Sequence, residues 1–168
     1  MRLGVPKEVF PGERRVAITP ANVEKFKKLG FEVAVQSEAG LAAGFDDAEY
    51  TKAGAVIVAD AKSLLGSSDV VLKVRAPSTA EIPTLKAGSF LASLIMPAQN
   101  PDLLKQLSMA QVSTLALDAI PRTTRAQKMD VLSSMANLAG YRAVVEAAAV
   151  IWPVNGRLNA AAASTTAR

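Results

Sequence analysis

The sequence predicts a three-layer α/β/α fold built on a mostly parallel sheet. Three observations lead there. Short, continuously apolar β-rich runs alternate with helical stretches through about six units, as in a parallel sheet covered on both faces. Half of the residues are hydrophobic but only 5% are aromatic, so the core is mostly Ala, Val, Leu and Ile. At 168 residues the chain is one domain of ordinary size, long enough to bury roughly 70% of its unfolded surface.

Arg2–Val5 is a short apolar strand. Thr19 stands before Pro20, the favoured first helical residue, and Gly30 closes that helix after Lys27 and Lys28. Phe31–Val35 is the next strand. Asp46 with Glu49 three residues later makes a capping-box start for a short helix ending near Gly54. Ala55–Val58 is a strand, and Asp60 caps a helix through Leu65. The apolar run Val70–Val74 is broken only by Lys73. Ser78 caps a helical piece up to Lys86, strained by Pro83. Ser89–Met96 is apolar again, and Asn100-Pro101 opens a helix over Asp102–Met109. Val112–Leu117 is the last strand. Asp130 caps a long helix from Val131 towards Ile151, and Asn159–Arg168 is low-complexity sequence expected to fray. The architecture is flavodoxin-like or Rossmann-like, but no G-x-G occurs anywhere, so the glycine-rich dinucleotide fingerprint is lacking.

Composition excludes several chemistries. Cysteine is absent, which removes disulfides, thiolate catalysis and Cys-ligated metals. Histidine is absent too, which removes the Ser–His–Asp triad and the usual general acid or base near neutral pH. Binding or hydride chemistry is favoured. The net charge of +4 comes without a basic stripe interleaved with aromatics, so no nucleic-acid partner is expected. MRLGVPKEVFPGERR has no apolar signal region, and no run is long enough to span a bilayer, so a cytoplasmic protein is expected. There is neither a phosphate-binding G-x-x-x-x-G-K-[ST] nor a hydrolase G-x-S-x-G.

The most unusual stretch is DAIPRTTRAQKMDVLSS, Asp118–Ser134. It is too long for a plain connection and lies at the carboxyl end of a parallel strand, where open α/β sheets bind ligands. It concentrates Arg122, Thr123, Thr124, Arg125, Gln127, Asp130, Ser133 and Ser134. Guanidinium groups, hydroxyls, an amide and a helix N-terminus suit an oxygen-rich or amide ligand. The other reading is a polar, exposed, mobile loop with Asp130 as an ordinary cap. Two further stretches stand at strand ends: Gly12-Glu13-Arg14-Arg15-Val16 and Lys73-Val74-Arg75-Ala76-Pro77. An arginine there could clamp a carboxylate or phosphate, or form a structural ion pair, and Lys73 must find a partner or snorkel. Met129 and Met135, flanking the loop, are expected to pack.

VPKEVFPGERRVAITPANVEKFKKLGFEV, SSDVVLKVRAP, LIMPAQNPDLL and above all DAIPRTTRAQKMDVLSSMANLAGYRAVVEAA resemble the alpha subunit of proton-translocating NAD(P) transhydrogenases. Alanine dehydrogenases are the related branch. The resemblance covers residues 1–148 and implies the first domain of an NAD(H)-binding component. It implies an oxidoreductase and translocase passing hydride between NAD(H) and NADP(H), coupled to proton translocation in the full complex. It places Arg122, Asp130 and Ser133 around the dihydronicotinamide and its carboxamide, with Thr123, Thr124 and Arg125 in the same cofactor-binding segment. Gln127 would reach towards the NADP(H)-bearing partner domain, and Gln127 and Asp130 are the catalytic candidates. Implied partners are that NADP(H)-binding domain, a membrane component and a second copy in a homodimer. The implied location is cytoplasmic and peripheral to the inner membrane, with no metal. Hydride transfer needs rings oriented and water excluded rather than an acid or base.

An alanine dehydrogenase would use an arginine matching Arg15, a lysine at the position of Arg75 and a catalytic histidine at about Ile95. Arg and Lys are not interchangeable at such a site, and Ile95 transfers no proton. The transhydrogenase branch is therefore preferred, with a non-catalytic scaffold or interaction module derived from it as the alternative. After Ala148 the resemblance ends: AVIWPVNGRLNAAAASTTAR, residues 149–168, is a divergent and partly disordered tail. The chain is accordingly expected to be a truncated, frame-altered or engineered first domain, inactive alone.

Overall fold

The computed structural model describes residues 1–121 and 123–165, with side chains described as far as residue 149. The chain divides into two compact units, Met1–Pro121 and Arg122–Arg168. The first holds β1 (Arg2–Val5), α1 (Pro20–Lys28), β2 (Glu32–Gln36), α2 (Asp47–Lys52), β3 (Val56–Val58), α3 (Ala61–Ser67), β4 (Val70–Arg75), β5 (Phe90–Leu94), α4 (Pro101–Met109) and β6 (Ser113–Ala116). The second holds α5 (Val131–Thr165).

The six strands form one sheet in the order β3-β2-β1-β4-β5-β6, with every neighbouring pair parallel. This is the doubly wound arrangement that the strand–helix alternation predicts. Alternation within strands sorts the core onto two faces. Leu3, Val5, Val33 and Val35 pack with Ile18, Val23 and Tyr50 on one side. Ala34, Val71 and Leu91 pack with Leu64, Leu65, Leu107 and Val112 on the other. Gly4, in register with Ala34 and Val71, permits a close approach of α3: a Cβ there would come 2.1 Å from Ser68 Oγ. The sheet is not covered equally. On the face opposite Leu91, Phe90 and Leu115 are more than half exposed.

Local chemistry sets the helix ends. Asp46 accepts from Glu49 N at 2.8 Å while the Glu49 carboxylate accepts from Asp46 N at 3.1 Å, the reciprocal box that the spacing predicts. Asp60 caps α3 through Ser63 N at 2.8 Å. Thr19 precedes α1 without a side-chain cap, and Pro20 supplies the start. The helix expected from Ser78 to Lys86 does not form. Ser78 and Glu81 exchange capping bonds, but only a 3₁₀ turn over Ile82–Thr84 follows, since Pro83 lacks an amide to continue the ladder.

β4 carries an irregularity. Leu72 pairs with Ala92 but Arg75 pairs with Leu94, so three steps on β4 face two on β5. Such a bulge re-aims side chains and frees backbone groups. Of the last ten residues, 159–165 continue α5, and 166–168 lie outside the described residues. Along α5, Leu138, Tyr141 and Val144 stand exposed.

Candidate functional site

Asp118 marks the start of the polar stretch, but it belongs to the sheet edge. Its carboxylate accepts from Ile95 N at 3.1 Å and Met96 N at 2.5 Å, where β5 ends and Met96 adopts a left-handed φ of 48°. Asn100 Nδ2 donates to the carbonyls of Ile95 and Met96 at 2.8 and 3.2 Å. Leu117 N donates to Ser93 O at 3.0 Å. The expectation of a free loop from Asp118 onward is thus corrected at its first residue, because a carboxylate takes the amides that strand pairing leaves over. Ile95 itself is buried and apolar.

In the second unit, the loop before α5 is wound rather than open. Thr123 O accepts from Ala126 N at 2.9 Å and Gln127 N at 3.1 Å, and Gln127–Met129 form a 3₁₀ turn. Asp130 follows. Its Oδ1 accepts from Ser133 N at 2.9 Å and its Oδ2 from Ser133 Oγ at 2.5 Å. Ser134 Oγ donates to Asp130 O at 3.2 Å. Asp130 is therefore the cap of α5, and its carboxylate and Ser133 are brought together. Thr123, Thr124, Arg125 and Gln127 are exposed on the same wound segment. Arg122 lies outside the described residues. Met129, expected to pack, is 58% exposed.

This segment offers a carboxylate acceptor, an amide with both a donor and an acceptor, and hydroxyls at a helix N-terminus. These are the kinds of donor and acceptor that an amide ligand takes. The turn after β1, Pro6-Lys7-Glu8, is not glycine-rich and so lacks the usual backbone cradle for a pyrophosphate.

The first unit holds a second polar cluster, at the carboxyl ends of β1 and β4. Glu13, with its side chain 4% exposed, accepts from Arg15 Nε and Nη2 at 2.7 Å each and from Arg75 Nε at 2.8 Å. The Arg75 guanidinium also lies 4.8 Å from the centre of the Phe10 ring. Both arginines are structural partners of one carboxylate. Lys73, 2% exposed, takes the partners that its place in an apolar run demands: Glu81 Oε1 at 2.8 Å and Glu8 Oε2 at 3.5 Å. Nothing in the local sequence points to Glu8, whose partner amide at Val74 lies 66 residues away. Glu81 shows only its capping spacing from Ser78. Among the described residues, no group of His, Cys, Asp or Glu could hold a metal ion, and no helix is long and apolar enough to cross a membrane.

The Glu13 cluster has a pH consequence. The Arg15 side chain, helped by the Arg15 amide and by Arg75, outweighs burial and holds the Glu13 carboxyl at about 2, against an ordinary 4.5. A lowered folded value means stability is present above the unfolded value and is lost as pH falls. The wild-type unfolding free energy should therefore drop between pH 4.5 and about 2 with an extra proton taken up. Glu13→Gln should lose that part of the slope while being less stable at pH 7. Parallel slopes in urea melts across this window would show that Glu13 is not held low.

Residues 4–139 match the family described as alanine dehydrogenase/PNT, N-terminal domain. The chain is 48% identical over 148 residues to the NAD(P) transhydrogenase subunit alpha of Haemophilus influenzae, covering 88% of this chain and 28% of that relative. Its structure resembles the transhydrogenase from Sinorhizobium meliloti with a TM-score of 0.84 and 43% identity, over 88% of this chain and 44% of that one. An L-alanine dehydrogenase structure is more distant, at a TM-score of 0.70 and 32% identity over 74% of this chain and 34% of that one. The chain thus spans less than half the length of these relatives.

Proposed function

Since the chain belongs to the alanine dehydrogenase/PNT family through its N-terminal domain, we propose that it serves the NAD(H) side of a transhydrogenase, contacting the nicotinamide end of the dinucleotide. The observation that carries this reading is the wound segment Thr123–Ser133, where the Asp130 carboxylate and the exposed Gln127 amide share the approach to α5. A nicotinamide held here would supply the hydride. This chain's residues would orient its carboxamide: Asp130 accepts an amide N–H, Ser133 holds that carboxylate in place, and the loop hydroxyls complete the shell, while Arg122 enters this reading from the sequence alone. Gln127 faces the partner domain that carries NADP(H). The remaining partners in this reading are a membrane component, which makes the protein peripheral to a membrane, and a second copy of the chain. The alanine dehydrogenase reading is not favoured, because Arg15 and Arg75 are both drawn onto Glu13 and Ile95 is buried.

The pyrophosphate is assigned to another domain, so the isolated chain should bind NAD(H) weakly, with a Kd no tighter than about 1 mM, or roughly −4 kcal/mol. Calorimetry with NADH checks this, and saturable micromolar binding would overturn the division of labour. For the function itself, residues 1–148 are exchanged into a complete transhydrogenase alpha subunit, the NADP(H)-bearing partner domain is added, and hydride transfer from NADH to an NADP⁺ analogue is followed. Retained transfer is expected. A folded chimera that binds NADH and its partner domain but transfers nothing would refute the reading.

A further inference from the structure

The strand order reverses between β1 and β4, and the crevice at such a reversal is where doubly wound sheets receive a ligand's anion. Here a side chain of the protein lies in it. Glu8, three residues beyond β1, places Oε1 2.6 Å from Val74 N and Oε2 3.4 Å from Arg75 N, with Lys73 Nζ at 3.5 Å. Two consecutive backbone amides and an ammonium form the kind of donor set that cradles a carboxylate or phosphate. The amides are turned to this use where the pairing of β4 with β5 slips between Leu72 and Arg75. The Glu8 side chain is only 4% exposed.

We infer that Glu8 is a built-in anionic ligand that fills the switch-point crevice and closes this sheet to nucleotide phosphate. The segment carrying it is tied down on both sides. Towards β2, Lys7 N donates to Gln36 Oε1 and Lys7 Nζ to Glu38 Oε2, each at 2.9 Å. Towards β4, Glu13 accepts from Arg75 at 2.8 Å. Residues 7–13 therefore lie as a strap across the ends of β2, β1 and β4. A free phosphate would have to displace a tethered carboxylate, whose effective concentration is of order millimolar or above. The inference concerns Met1–Pro121 alone and does not depend on the transhydrogenase reading.

The test uses the full chain with formate, inorganic phosphate and AMP as probes, against sodium chloride at equal ionic strength. Amide NMR signals of Val74 and Arg75 and the thermal midpoint are the readouts. In the wild type these two amides should not shift saturably with any probe. Glu8→Ala should melt lower, recover part of the loss with formate beyond the effect of chloride, and show saturable shifts of both amides. Formate should win over phosphate if the cradle is carboxylate-sized, and phosphate over formate if it accepts the larger anion. Glu8→Gln, which keeps the space filled, should respond to neither. Saturable movement of the wild-type amides with AMP would overturn the inference, as would a folded Glu8→Ala whose amides ignore every anion. If Glu8→Ala folds in no condition, the wild-type titration decides alone.

Discussion

Lys73→Ala should destabilise the Met1–Pro121 unit by about 3–5 kcal/mol. Glu8 and Glu81 flank the ammonium with side chains 4% and 10% exposed, so removing the cation leaves two carboxylates facing each other out of water. Losing the Lys73 stem also opens space within a strand buried among neighbours. Lys73→Met separates the two causes. It restores the volume but not the charge, so most of the loss should remain. Adding Glu81→Leu to Lys73→Met should recover part of it, because Glu8 keeps the amides of Val74 and Arg75 while one unpaired carboxylate disappears. Urea melts of the single and double variants measure each step. A Lys73→Met variant as stable as wild type would mean that the buried charges are solvated by a route the geometry does not contain.

The second large effect is on turnover. Asp130→Asn, placed in a complete alpha subunit supplied with the NADP(H)-bearing partner domain, should lower hydride transfer by about 10–150-fold, corresponding to about 1.5–3 kcal/mol for a hydrogen bond to a charged group. Stability should hardly change. Asn caps a helix about as well as Asp, and its carbonyl can still accept from Ser133 N while its amide meets Ser133 Oγ. What it loses is the negative charge on which the proposed contact with a nicotinamide carboxamide depends. Steady-state kinetics and a thermal melt on the same sample check both halves. Unchanged turnover with unchanged stability leaves Asp130 a cap and nothing more.

The fold is largely readable because its signals are local. Asp46 and Glu49, Asp60, and Asn100-Pro101 announce helix starts within four residues, and the apolar runs at Val33–Val35 and Val70–Leu72 need only their own sequence to be recognised as strands. Misreadings arise where a local signal is outvoted. Ser78 and Glu81 do form the expected capping bonds, yet Pro83 limits them to a 3₁₀ turn, and Glu81 turns its other oxygen to Lys73. In the candidate site, the capping role of Asp130 can be read from the chain. The wound turn before it cannot, since it rests on the backbone of Thr123 accepting from two amides. Glu8 and Asp118 are invisible for a different reason. Each carboxylate serves backbone amides of a strand end far away in sequence, and no spacing rule covers such a pair.

The strand at the middle of the sheet is the first one made. Leu3 pairs with Val33 on one side and with Val70 on the other. On a ribosome adding about 5–20 residues per second, roughly 2–7 s separate the synthesis of those two neighbours. During that interval the nascent β1 has one open edge, and Glu8 has neither its cation nor its amides. The domain cannot commit to its architecture until β4 has cleared the exit tunnel, which makes the interval a natural point for chaperone capture or for pairing with the wrong strand. For the same reason the amino terminus is a poor place for trimming. Removing a few residues there takes out the axis on which the other strands assemble, whereas comparable trimming at β3 or β6 removes only an edge.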